Sequence, residues 1–242
     1  MTRFIALALI LLVLTSCKKE EVEIIEDIPE ETGIVLAESI GLSSAPTGAD
    51  SICDIPLYTV SDYDINAIAV GTLVPDFTLY NTGGQPTTLS IELDDGLPIL
   101  IVSGSYTCPV FRGKVAALNQ IKSDYADQIK VLLVYIVEPH PDLDISPYRG
   151  SVWTTSANRS EGILYRQPVT YQDRIDIINA MLTDMTIDFD ILIDGPCNEF
   201  WLEYGEAPNR AYLIDKNGYV SAQHGWFNTP TMISSIDALL AS

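Results

Sequence analysis

Two nearly uninterrupted apolar runs, Leu97–Ser103 (LPILIVS) and Ile129–Val137 (IKVLLVYIV), bracket a stretch where Phe111, Val115, Leu118, Ile121 and Tyr125 recur at helical spacing. A strand that is apolar on both faces must be covered on both, which is the condition of a central parallel strand. Strand, helix over Pro109–Gln128 and strand, in that order, predict a right-handed parallel unit. The chain is therefore read as α/β.

Upstream, Val74–Leu79 and Thr87–Ile91 flank the turn-forming Thr82-Gly83-Gly84 and predict a β-hairpin. Downstream, Gln172–Thr183 has helical spacing through Ile175, Ile178 and Leu182, and Phe189–Ile193 reads as a short strand. Ala211–Ile214 and Tyr219–Ala222 around Lys216-Asn217-Gly218 predict a second hairpin, followed by a helix over Pro230–Leu240 capped by Thr229. A βαβ half followed by an αββα half, with Pro208 entering the late hairpin, resembles the thioredoxin fold. That likeness implies a cis peptide bond before Pro208, facing the active site.

With 47% hydrophobic residues in 242, the chain can fill one principal core. Thirteen Lys+Arg against 33 Asp+Glu give a net charge of -20, which phosphate backbones and anionic membrane surfaces repel, so nucleic acid is excluded as a partner. Residues 1–16 read as a signal peptide, with Arg3 at the positive end and Phe4–Leu14 as the apolar core, too short to span a bilayer. Leu14-Thr15-Ser16-Cys17 resembles the bacterial lipobox, which makes Cys17 the lipidated first residue of the mature chain, anchored by acyl chains such as palmitate. Lys18-Lys19-Glu20-Glu21 resembles a surface-export signal of Gram-negative lipoproteins. The expected place is thus the cell envelope, at the outer membrane or cell surface. Residues 17–50, acidic and then rich in Ser, Ala, Pro and Gly, are expected to be a flexible tether, and 51–242 the folded domain.

Gly104-Ser105-Tyr106-Thr107-Cys108-Pro109 joins a buried strand to the first turn of a helix. At a helix N-cap, unpaired backbone N–H groups and the helix dipole favour a thiolate, so Cys108 is expected to have a lowered pKa. Pro109 suits the first turn because its missing N–H is not needed there. The bland alternative is a buried structural thiol. Glu138-Pro139-His140 ends the neighbouring strand at the same sheet edge, where open α/β folds bind ligands. There His140 can move a proton during thiolate attack, and Glu138 can orient it or hold a substrate group. Cys53 and Cys197 lie in loop-like segments and either resolve an intermediate on Cys108 or pair as a structural bridge. No C-x-x-C is present, and two histidines with scattered cysteines give no metal-ligand spacing. His224 is read as a surface-loop residue.

From about Gly71 to Leu240 the sequence resembles the iodothyronine deiodinase family. The likeness is carried by Pro98-Ile99-Leu100 leading to Gly104–Phe111, by Val134–Pro141, by Tyr171-Gln172-Asp173-Arg174, and by Pro208–Ile214. The resemblance implies that Cys108 stands at the position of the selenocysteine nucleophile, with Glu138 and His140 at the active-site Glu and His. It further implies that Thr107, Tyr106, Pro208 and Arg210 contact substrate. Tyr106 replaces a second cysteine of the vertebrate enzymes, and Pro168 replaces a histidine that contacts the iodothyronine.

The expected function is a membrane-anchored thiol redox enzyme, with reductive dehalogenation of an iodinated phenol as its chemistry. It needs no bound cofactor and takes a small-molecule substrate together with an external thiol reductant or redox partner protein. A peroxiredoxin-like thiol peroxidase is the alternative, and a non-catalytic surface binding module on the same scaffold is a third reading.

Overall fold

The computed structural model describes residues 33–58 and 62–242. Residues 1–16 and Cys17, expected to carry export and lipidation, lie outside them. Among the described residues, no helix is long and apolar enough to cross a membrane.

The two apolar runs form β3 (Ile99–Gly104) and β4 (Lys130–Tyr135), which pair in parallel with Ile99 opposite Lys130. Around them a seven-stranded sheet adds β1 (Thr78–Tyr80), β2 (Pro86–Thr88), β5 (Asp190–Ile193), β6 (Ala211–Ile214) and β7 (Val220–His224). The order is β2-β1-β5-β4-β3-β6-β7, with β5 parallel to β4 and the flanking pairs antiparallel. Alternate residues of the central strands feed two cores. Leu100, Val102, Leu133 and Tyr135 meet α3 (Val115–Asp124), α5 (Tyr171–Asp184) and α7 (Thr229–Leu240). Ile99, Ile101, Leu132 and Val134 meet α1 (Leu89–Leu93) and α6 (Glu199–Glu203). Each fully buried aliphatic side chain contributes about 1.5–3 kcal/mol.

Several expected boundaries move. The helix predicted over Pro109–Gln128 is two pieces, α2 (Pro109–Arg112) and α3. They part at Gly113-Lys114, where Lys114 N–H bonds the Phe111 carbonyl in a tightened turn. The strand expected over Thr87–Ile91 stops at Thr88 and becomes α1, because Asp76 accepts from the Ser90 N–H (3.0 Å) and hydroxyl (2.6 Å) and draws Leu89 and Leu93 into the core. Asn228, not Thr229, caps α7, accepting from the Thr231 N–H at 3.1 Å. His224 closes β7 rather than occupying a loop. The flexible tether expected to reach residue 50 is, from Gly33 onward, laid on the domain. Ile34, Leu36 and Ile40 pack against the second core, and Ala37, Ile40 and Leu42 donate to the carbonyls of Val74, Asp76 and Thr78.

Candidate active site

Cys108 is the N-cap of α2, and its sulfur accepts from the Phe111 N–H at 3.4 Å, as its sequence position predicts. The electrostatic outcome is the reverse of the expected one. The thiol is fully buried, and burial pushes its pKa up to about 11 despite the Phe111 and Val110 N–H groups; the Glu138 charge pushes the same way, and Arg112 pulls back. A four-residue helix has a small dipole, and the desolvation cost outweighs it. At neutral pH the thiol is protonated in this arrangement.

Glu138 lies just beyond β4 with no exposure, and Thr107 is its principal partner. The Thr107 N–H (2.9 Å) and hydroxyl (2.6 Å) donate to one carboxylate oxygen, and the Tyr135 hydroxyl donates to the other. Tyr135 Oη in turn accepts from the Tyr106 N–H at 3.0 Å. Burial raises the Glu138 pKa, opposed first by these Thr107 and Tyr135 hydrogen bonds and last by the Arg174 charge. The His140 N–H donates to Thr107 Oγ1 at 3.2 Å. Thr107 thus joins the residue before the thiol to both the carboxylate and the histidine.

The His140 ring packs edge-on to Trp153, with centroids 4.2 Å apart, and its Nδ1 lies 3.2 Å from the Trp153 carbonyl. A carbonyl only accepts, so Nδ1 carries the proton and Nε2 keeps its lone pair. Burial, with a smaller push from Arg112, lowers the His140 pKa to about 4 against the Trp153 hydrogen bond, so the ring is neutral at neutral pH.

Sequence reasoning missed Tyr135, Asn158 and the part played by Arg112. Asn158, in α4 (Ser156–Glu161), is fully buried and donates to the carbonyls of Thr107 (2.9 Å) and His140 (3.5 Å). Arg112 donates to the Tyr106 carbonyl (2.6 Å) and to Asn158 Oδ1 (3.1 Å), and pairs with Glu161. Only the buried polarity of Asn158 could have been a signal, and a lone Asn in a polar stretch does not show burial.

The expected substrate contacts divide. The Tyr106 ring is packed into the first core, the cluster that also holds Cys108, with its hydroxyl on Asp184, and its backbone N–H is on Tyr135. Among the described residues no peptide bond is cis, so the bond before Pro208 is trans, the ordinary isomer. The loop that Pro208 occupies is hooked to β3 by Ser103, whose hydroxyl accepts from the Arg210 N–H at 2.9 Å. Arg210 is almost fully buried, donating from Nε to the Gly205 carbonyl at 3.2 Å and from Nη2 to the Tyr63 carbonyl. Pro168 lies in a groove of about 390 Å³ with Tyr165, Gln167 and Ile177. Gln167 bonds both the N–H and the carbonyl of Glu138, which ties one wall of that groove to the Glu138 main chain. Cys53 and Cys197 form a disulfide, leaving Cys108 as the free cysteine among the described residues.

A family model for iodothyronine deiodinase matches residues 68–228. A type II iodothyronine deiodinase of Fundulus heteroclitus is 27% identical over 146 residues, covering 59% of this chain and 51% of that protein. The chain therefore spans about half the length of the curated relative it matches. Among solved structures, a candidate thiol:disulfide interchange protein DsbE of Chlorobium tepidum aligns with a TM-score of 0.50 at 19% identity, over 72% of this chain and 99% of that one. A candidate protein disulfide isomerase of Bacteroides thetaiotaomicron aligns with a TM-score of 0.51 at 16% identity, over 72% and 92%. At such identities the likeness is one of fold, and the fold is thioredoxin-like.

Proposed function

The chain belongs to the iodothyronine deiodinase family, and on that premise we propose that it is a thiol-dependent reductive dehalogenase of iodinated phenols with Cys108 as nucleophile. The observation that carries the reading is the Thr107 junction, which ties the nucleophile's neighbour to Glu138 and His140 through three hydrogen bonds. The Cys108 sulfur attacks iodine, the aryl carbon takes up the proton that the thiol gave to His140 Nε2, and a sulfenyl iodide forms on Cys108. One external thiol displaces iodide to give a mixed disulfide, and a second releases Cys108 with the external thiols oxidised to a disulfide. Arg210 receives an anionic group of the substrate.

The test is iodide release from a diiodophenol by the purified full chain with dithiothreitol, beside peroxide consumption, each against Cys108→Ser. Iodide release abolished by the substitution supports the reading. Peroxide consumption alone makes the protein a thiol peroxidase, and neither activity leaves a binding module. In the same reading lipid on Cys17 holds the domain on the cell envelope. Cys17→Ala should then release it from the membrane fraction, and retention there would refute the anchor.

A further inference from the structure

Cys53 and Cys197 are both exposed, so their disulfide lies at the surface, whereas Cys108 is buried. The two cysteines sit on separate arms that end on one loop.

The first arm, Gly48–Tyr58, is laid over the N-terminus of α5. The Tyr171 and Gln172 N–H groups donate to the carbonyls of Asp50 (2.8 Å) and Gly48 (3.0 Å), and the Ile52 N–H donates to the Val169 carbonyl at 2.8 Å. Ile52 packs against the first core and Ile55 against the second, so the arm passes from one to the other. The Cys53 N–H donates to the Pro196 carbonyl at 2.9 Å. Asp54, Pro56 and Leu57 beyond it are exposed, and the Tyr58 N–H then donates to the Pro147 carbonyl at 2.7 Å.

The second arm runs from Cys197 into α6. Asn198 accepts from Arg174 Nη2 at 2.6 Å, and the Asp194 carboxylate accepts from the Phe200 (2.9 Å) and Trp201 (3.0 Å) N–H groups. Trp201 Nε1 donates to the Tyr148 hydroxyl at 2.8 Å. The arms therefore meet at adjacent residues, Pro147 and Tyr148. Ser146, just before them, is fully buried and donates its hydroxyl to the Pro139 carbonyl at 2.7 Å, between Glu138 and His140.

We propose that Cys53–Cys197 is a second redox site, a thiol–disulfide exchange site for external dithiols, whose state sets how firmly the Ser146–Tyr148 loop holds the Glu138-Pro139-His140 corner. A thiolate of the dithiol attacks one sulfur of the pair, the S–S bond breaks, and the other cysteine leaves as a thiolate that takes a proton. The second thiol of the reductant then displaces the first cysteine, also released as a thiol. The pair gains two electrons and two protons, and the dithiol is oxidised to a disulfide. Opening this link across 144 residues leaves the first arm held by its own hydrogen bonds, so it detaches at lower cost and takes the Tyr58 N–H from Pro147.

The test is amide hydrogen exchange of the full chain, read by mass spectrometry before and after dithiothreitol at neutral pH without denaturant, with reduction followed by N-ethylmaleimide labelling of Cys53 and Cys197. Both cysteines should be labelled, and peptides across 48–58 and 141–153 should exchange about tenfold faster, while those of β3 and β4 stay within about twofold. Cys53→Ser, folded by far-UV circular dichroism, should match the reduced chain without dithiothreitol. A pair that resists reduction in the native chain would overturn the proposal. So would faster exchange confined to 48–58, or a uniform rise that includes β3 and β4. Iodide release enters none of these readouts, so the proposal and the dehalogenase reading stand or fall separately.

Discussion

Tyr135→Phe removes one oxygen from a site with no exposure and leaves the ring volume unchanged, so its cost is electrostatic. That oxygen serves two partners, donating to Glu138 Oε1 and accepting from the Tyr106 N–H at 3.0 Å. A lost hydrogen bond to a charged group costs about 1.5–3 kcal/mol and an orphaned buried N–H about 1–3 kcal/mol, so the sum is about 2.5–6 kcal/mol at pH 7.5. The loss depends on pH in a fixed direction. The Tyr135 bond helps hold the Glu138 pKa down against burial, so without it the folded state binds the proton more tightly. The variant's deficit therefore grows as pH rises through the Glu138 titration and shrinks below it. Urea unfolding of both proteins at pH 7.5 and pH 4.5 measures this, and groups unaffected by the substitution cancel in the difference. A deficit under about 1 kcal/mol at pH 7.5, or one of equal size at both pH values, would refute the argument that Tyr135 supports an ionised carboxylate.

His140→Gln should flatten the acid limb of stability. With a folded pKa near 4 against about 6.5 unfolded, His140 costs stability as pH falls from about 6.5 to about 4, by about 3 kcal/mol across that window. Asp194, raised to about 6 by burial, works in the opposite sense but is common to both proteins, so the difference between their urea midpoints against pH isolates the imidazole. Replacing Cys53 and Cys197 by Ser opens a link across 144 residues and should cost about 2–5 kcal/mol in urea unfolding without reductant. Asn158→Ala frees the carbonyls of Thr107 and His140 and should cost about 1–3 kcal/mol. It should also lower the rate of iodide release more than it raises KM, because the Thr107 and His140 backbones lose a common tie.

The core of the fold was legible because β3 and β4 are apolar on both faces, a pattern that surface segments cannot sustain. Glu138 and His140 were legible for a related reason, since polar residues at the end of such a run sit at the sheet edge. What was hidden depends on distant partners. Tyr135 looks like one more apolar residue of β4 until Glu138 and Tyr106 are seen to share its hydroxyl. α1 was hidden because Asp76, remote in sequence, takes the N–H and hydroxyl of Ser90. The N-cap position of Cys108 was readable, but not its pKa. The cap is local, whereas the burial that overrides it comes with segments far along the chain, among them the residues of α5, β6 and α7 in the core cluster that holds Cys108.

That burial shapes the chemistry. Burial holds the thiol pKa high and the imidazole pKa low, so moving the proton from sulfur to nitrogen is uphill in this structure. Desolvation is the largest cause of both shifts and acts on them in opposite directions, raising the acid and lowering the base. Water admitted to the site therefore narrows the gap from both ends, while the Phe111 N–H at the sulfur and the Trp153 carbonyl at Nδ1 remain to favour thiolate and imidazolium. Exclusion of water keeps the sulfur protonated. Access for substrate and ionisation of the nucleophile then follow from one event, the admission of solvent to the Cys108 thiol.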